Sequence, residues 1–253
     1  MAAHAAVTLA SHRRQLGGHL AARRLDARGL RLAAAGLSGP PDPDGTDALA
    51  ARVDALVGLA ADALGLGDPV AARLLDAAAA LDHPSWRPRI RLGWVRAELA
   101  LYAGQAGSAV RPAEQALALA REAGAARHVL KSRLVLAVAR AAVRPDDTAL
   151  VELDSVADEA TDAGLLPLVW PALLAAADVL DRQGSHAVSE SLRGANDDRA
   201  SMANESVNGR VSGAARRRHA AACTVSVIYQ LGDPLGRRLM GEWMWVTPRH
   251  PVT

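Results

Sequence analysis

Along most of the chain, apolar residues recur three and four positions apart, the spacing of a helix with one buried face. Breaks of glycine, proline or aspartate divide the pattern into segments. The segments predict helices over 2–17, 20–36, 47–65, 69–81, 87–103, 107–123, 126–143, 147–163, 167–183 and 186–193. Thr46 or Asp47 can cap the third of these and Asp146 or Asp147 the eighth. Pro84, Pro88 and Pro145 stand at boundaries, while Pro167 and Pro171 fall in the first turns of the ninth, where a missing N–H costs little. SGPPDPDG (38–45) is a loop by composition. After Leu192 the pattern stops. The stretch RGANDDRASMANESVNGRVSG (193–213) is polar and aperiodic and reads as a linker. An amphipathic helix is predicted over 214–233, folding back to cap the last hairpin, followed by a tail with Trp243 and Trp245. The expected organisation is a helical domain over 1–192, a linker over 193–213 and a capping helix with tail over 214–253.

The apolar residues are of an unusual kind. Half the chain is hydrophobic, yet it has no Phe and two Tyr, so Ala, Leu and Val fill the core positions. The small residues recur at fixed offsets of seven, five and seven. One set is Ala97, Gly104, Ala109 and Ala116, within and just before AGQAGSAVRPAEQALALAREAG (103–124). Ala60, Gly67, Ala72 and Ala79 form another, with Pro84 following, and Ala10, Gly17, Ala22 and Gly29 a third. Weaker copies are Ala137, Arg144, Ala149, Val156 and Ala177, Gly184, Ser189, the last failing at Asn196. A glycine between two helical runs can take the left-handed conformation that ends the first helix. The alanines on either side then face each other across a helical hairpin. A lone hairpin cannot bury its apolar face, so hairpins must stack.

This ladder resembles the tetratricopeptide repeat, in which small residues hold the corresponding places of each hairpin. The resemblance covers residues 3 to about 195, and the longer spacing of the units is closer to the arms of bacterial regulators. The units start 50, 37, 40 and 40 residues apart, against about 34 for the standard repeat. Gly93 and Ala100 stand where large aromatics are favoured in the family. The resemblance implies an all-α, right-handed α-solenoid of about five stacked helical hairpins. It also implies a concave groove lined by the first helix of each hairpin. Carried over residue by residue, it puts Arg14, Arg91, Trp94, Glu98, Tyr102, Lys131, Asp178 and Arg182 in that groove. It places His4, Ser11, Gln15, Asp54, Val57, Leu134 and Asp181 there too.

Trp94, Glu98 and Tyr102 also share a helix face by their spacing alone, with Arg91 one turn before. Trp, Tyr and Arg concentrate binding energy at interfaces. The two aromatics could equally fill a core built otherwise of small side chains, and the spacing does not choose between these readings.

Charge and candidate chemistry narrow the function classes. Net charge is +2, with basic ends flanking an acidic middle. The densest basic cluster is Arg216, Arg217 and Arg218 beside His219, with no aromatic platform adjoining it. Cys223 is alone, so the chain forms no internal disulfide. The eight histidines show no metal spacing, and adjacent acids such as Asp158 and Glu159 diverge on a helix. No phosphate loop, nucleophile–base pair, signal peptide or membrane span is evident. The expectation is a cytoplasmic adaptor, without cofactor or catalytic residue, that binds a peptide or protein segment in its groove. The alternative is a regulator associating with nucleic acid or transcription machinery through the basic ends. A third reading is a small-molecule-sensing arm.

Overall fold

The computed structural model describes residues 1–35, 40–193 and 197–241, and the side chains of these except at 188 and 190–206. The fold is all-α, with eleven helices and no strand among the described residues. It divides into two units, Met1–Val135 with Tyr229–Thr253, and Leu136–Ile228.

The first unit is built from α1 (Ala2–Gln15), α2 (His19–Ala34), α3 (Ala48–Gly65), α4 (Ala71–Ala79), α5 (Trp86–Tyr102), α6 (Ala106–Glu122) and the first part of α7 (Ala126–Val143). Consecutive helices from α1 to α6 pair, and α3 also touches α1 and α5 directly. The turns between partners follow one design. Gly67 has φ +69 and donates to Leu64 O at 3.1 Å, while Asp68 N reaches Ala63 O at 2.8 Å. This is the Schellman arrangement, in which a left-handed residue lets two terminal carbonyls find donors. Gly104 repeats it with φ +71, and Gly17, Gly124 and Gly164 make the same pair of bonds.

The alanine ladder is the packing surface. Ala10, Ala22, Ala60, Ala97, Ala109, Ala137 and Val156 are wholly buried, and Ala116 and Ala149 nearly so. At Gly29 a methyl would stand 2.7 Å from Val7 Cγ2, so only glycine lets α1 and α2 come this close. The second copy is out of register. Ala72 is exposed and Ala79 half-buried, while Ala71 and Ala78 are buried in their stead. Asp68, Pro69 and Val70 intervene before α4, whose first residue is Ala71, and this shifts its buried face by one position.

The second unit contains the rest of α7, α8 (Asp147–Asp162), α9 (Leu166–Arg193) and most of α10 (Asp197–Leu231). Here two expectations are corrected. Gly184 lies inside α9, so 167–183 and 186–193 are one helix. The stretch 193–213, expected to be an aperiodic linker, is helical where it is described: α9 ends at Arg193 and α10 begins at Asp197. Its buried face consists of small residues that hydropathy misses. Ala214 packs on Ala177 and Leu180, Ala221 is buried too, and Arg210 reaches Gln183 O at 3.4 Å.

The C-terminal segment divides its roles. α10 lies along α9, as a capping helix would. The next helix, α11 (Pro234–Gly241), packs instead on the first hairpin. Its Leu239 fills the place a methyl would take at Gly18, and Arg13 holds Asp233 through two 3.0 Å bonds. Trp243 and Trp245 lie outside the described residues.

Candidate functional site

Helix α3 is mostly alanine, leucine and valine, yet Asp54, Gly58 and Asp62 stand on it four apart and so share one face. A methyl at Gly58 would collide with the carboxylate of Asp26, which α2 inserts there. Asp26 and Asp62 are completely buried and share one cation. Arg14 of α1 donates from Nε to Asp62 Oδ1 at 2.8 Å and from Nη2 to Asp26 Oδ2. His19 Nδ1 lies 3.4 Å from Asp62 Oδ1. Asp26 Oδ1 has no hydrogen-bond partner. Burial pushes the Asp26 carboxyl up to about 7; Arg14 pulls it down, and neighbouring Asp62 pushes it further up. Burial lowers the pKa of the Arg14 guanidinium, but Asp26 and Asp62 more than offset this and raise it above its ordinary value.

Asp54 anchors the adjoining group. Arg87 Nη2 donates to Oδ2 at 2.7 Å, and Arg91 Nη1 lies 2.7 Å from Oδ1. Arg87 Nη2 also sits 3.3 Å from His4 Nδ1, which must therefore accept. His4 Nε2–H is left to donate to Asp47 O at 2.9 Å. His83 repeats the logic: Ser85 N donates to its Nδ1 at 3.1 Å, and its Nε2–H bonds Asp47 Oδ2 at 2.8 Å. Burial works against ionisation of Asp47. The N–H groups of Ala50 and Asp42, with His83, nonetheless hold its carboxyl at about 2.

An aromatic group completes the face where α5 meets α7. Trp94 Nε1–H donates to Ser132 Oγ at 2.8 Å. Its ring stacks on His128 at 5.5 Å and 18°, and Trp86 meets the same imidazole edge-on at 5.0 Å. Lys131 Nζ stands 5.8 Å from the Trp94 ring centre and 3.5 Å from Glu98 Oε1. Burial, helped by Arg127, Arg87 and Arg91, holds His128 down at about 4, so the imidazole between the indoles is neutral. Tyr102 is 68% exposed, and its hydroxyl lies beside Gly67.

The groove residues thus separate by role. Arg14 and Arg91 are engaged by buried carboxylates. Trp94, Glu98 and Lys131 come together, and Trp94 is half-buried, neither core nor open groove. Asp178 and Arg182 belong to the second unit, where Arg218 of α10 takes Asp178 at 3.2 Å and also pairs with Asp181. Arg182 donates to the carbonyl of Asp178 at 3.4 Å. In the basic cluster, Arg217 pairs with Asp154 and Arg216 bonds Ser212 Oγ at 2.9 Å. Intrachain acids therefore already engage two of the three arginines of this cluster.

Sequence reasoning missed Asp26, Asp62, His19, Arg87, His128 and Ser132. The available signal was the pair of aspartates eight apart in an apolar helix, a spacing that demands buried partners. No protein-family model, curated protein or solved structure matches the chain. Among the described residues no cluster of His, Cys, Asp and Glu is placed to hold a metal ion, and no helix is long and apolar enough to cross a membrane.

Proposed function

We propose that the chain is a tetratricopeptide-like binding module, a right-handed solenoid of about five hairpins, that holds a protein or peptide segment against the face shared by α5 and α7. In this reading it is a cytoplasmic adaptor without catalytic residues or cofactor. The supporting observation is the half-exposed set of Trp94, Lys131 and Glu98 beside the open ring of Tyr102. Aromatic surface next to a mixed pair of charges suits a peptide, whereas nucleic acid would favour an unbroken basic stripe. The ion pairs of Arg14, Arg87 and Arg91 serve beneath it as a rigid support that limits the entropy lost on binding.

Peptide display against the whole chain supplies the test. Selected peptides should bind Tyr102→Ala and Lys131→Ala at least about tenfold more weakly, which is about 1.4 kcal/mol. The thermal midpoint of Tyr102→Ala should not move, because its ring is exposed. Equal affinity of both variants for every selected peptide would remove the α5–α7 face as the site.

A further inference from the structure

The opposite side of α5 carries a second feature. Helix α4 has nine residues where α6 has seventeen. Asp68 and Pro69 delay its start, and the turn at Asp82, with φ 41, closes its end early. A stripe of α5 is left open between α4 and α6, above a cleft of about 470 Å³. Its floor is apolar, from Leu92, Gly93 and Val53, with Ala79 and Leu119 on the walls. Arg89 and Arg96 flank the floor seven residues apart, about 10 Å along the helix.

The two guanidiniums are at most weakly engaged by the protein. Among the described residues Arg89 has no ion pair or hydrogen bond. Arg96 has only Asp76 at 3.9 Å, with 44% of its own side chain and 80% of the aspartate's exposed. Asp82 also lines the rim but lies within ion-pair distance of neither arginine, so Arg89 keeps no acid partner of its own. His83 is already committed to Asp47 and Ser85.

We infer that this cleft binds a small amphipathic organic anion, its apolar body on Leu92 and Gly93 and its carboxylate on Arg89 or Arg96. The volume falls within the range of small-molecule sites, about 300–1,000 Å³, and an apolar floor with a few fixed polar groups is their usual make-up. A planar guanidinium without an intrachain acid offers a carboxylate two parallel hydrogen bonds. The inference does not rest on the peptide face, because 91, 94 and 98 fall on the far side of α5 from 89, 93 and 96 at 3.6 residues per turn.

The test uses the whole chain and 8-anilinonaphthalene-1-sulfonate, an amphipathic anion whose fluorescence rises in apolar surroundings. Decanoate should displace it at least about tenfold more effectively than decanol, which has the same body without the charge. Arg89→Gln combined with Arg96→Gln should weaken both anions at least about tenfold with no change in thermal midpoint, since both side chains are exposed. Ala118→Trp, an exposed wall position, should block the probe while circular dichroism stays unchanged. Three results would each overturn the assignment: no probe binding to the natural chain, equal displacement by decanol, or undiminished binding in the double glutamine variant.

Discussion

Both units tie neighbouring helices with arginine–aspartate pairs, but at different depths. In the first unit Arg14 is 14% exposed and its partners Asp26 and Asp62 are fully buried. In the second, Arg218 is 44% exposed against Asp178 and Asp181 at 66% and 46%. A buried charge must be paired, and losing a partner leaves the other stranded, whereas an exposed pair is replaced by water. The buried network therefore fixes how α1, α2, α3 and α5 sit against one another, while the exposed pairs only decorate α9 and α10.

The sharpest break of this contrast is Arg14→Leu, which strands two buried carboxylates and should cost about 3–5 kcal/mol. Arg218→Leu should cost less than about 1 kcal/mol. Similar denaturant midpoints for the two variants would erase the distinction. Asp26 sharpens it through pH. Its folded pKa lies above the ordinary carboxylate value, so its contribution is complete below about 3.8 and is lost as pH rises through about 7. Stability should fall by about 2 kcal/mol between about pH 5 and about pH 8, and Asp26→Asn should flatten that slope. A slope unchanged in the variant would assign it elsewhere.

Packing supplies the next comparison. Ala109→Leu should cost about 1–3 kcal/mol by overpacking, while Ala72→Leu, at the ladder place displaced to the surface, should be neutral. The smallest effects distinguish two ladder glycines. Gly104→Ala forces a methyl into the left-handed region and should cost about 1–2 kcal/mol. Gly184→Ala, inside α9 with open space around the added carbon, should stabilise by about 0.5–1 kcal/mol. Equal signs would show that the two glycines do the same job.

These pairs also mark what could be read from the sequence. Gly17, Gly67 and Gly104 were legible as turns because the local chain decides them. Gly184 stands at the same ladder offset but lies inside α9, which runs on to Arg193 despite the roughly 1 kcal/mol that a helical glycine costs. The one-residue slip at Ala72 came from Pro69, whose effect on the start of α4 depends on how that helix docks. Trp94 and Glu98 were legible as neighbours from their four-residue spacing, whereas the approach of Lys131 to both depends on how α7 docks on α5. The network of Arg14 with Asp26 and Asp62 was not legible, because it joins three helices and partners 48 residues apart. Helix spacing shows each charge alone and says nothing of its partner.

The seating of α11 on the first hairpin bears on how the chain is made. Arg13 and Asp233 are 220 residues apart. During synthesis at about 5–20 residues per second, α1 and α2 leave the ribosome well before Leu239. For roughly ten seconds or more the apolar seat beside Gly18 therefore stays uncovered on the growing chain. Docking of α11 closes it, so the first hairpin gains its cover only after more than 200 further residues have been made.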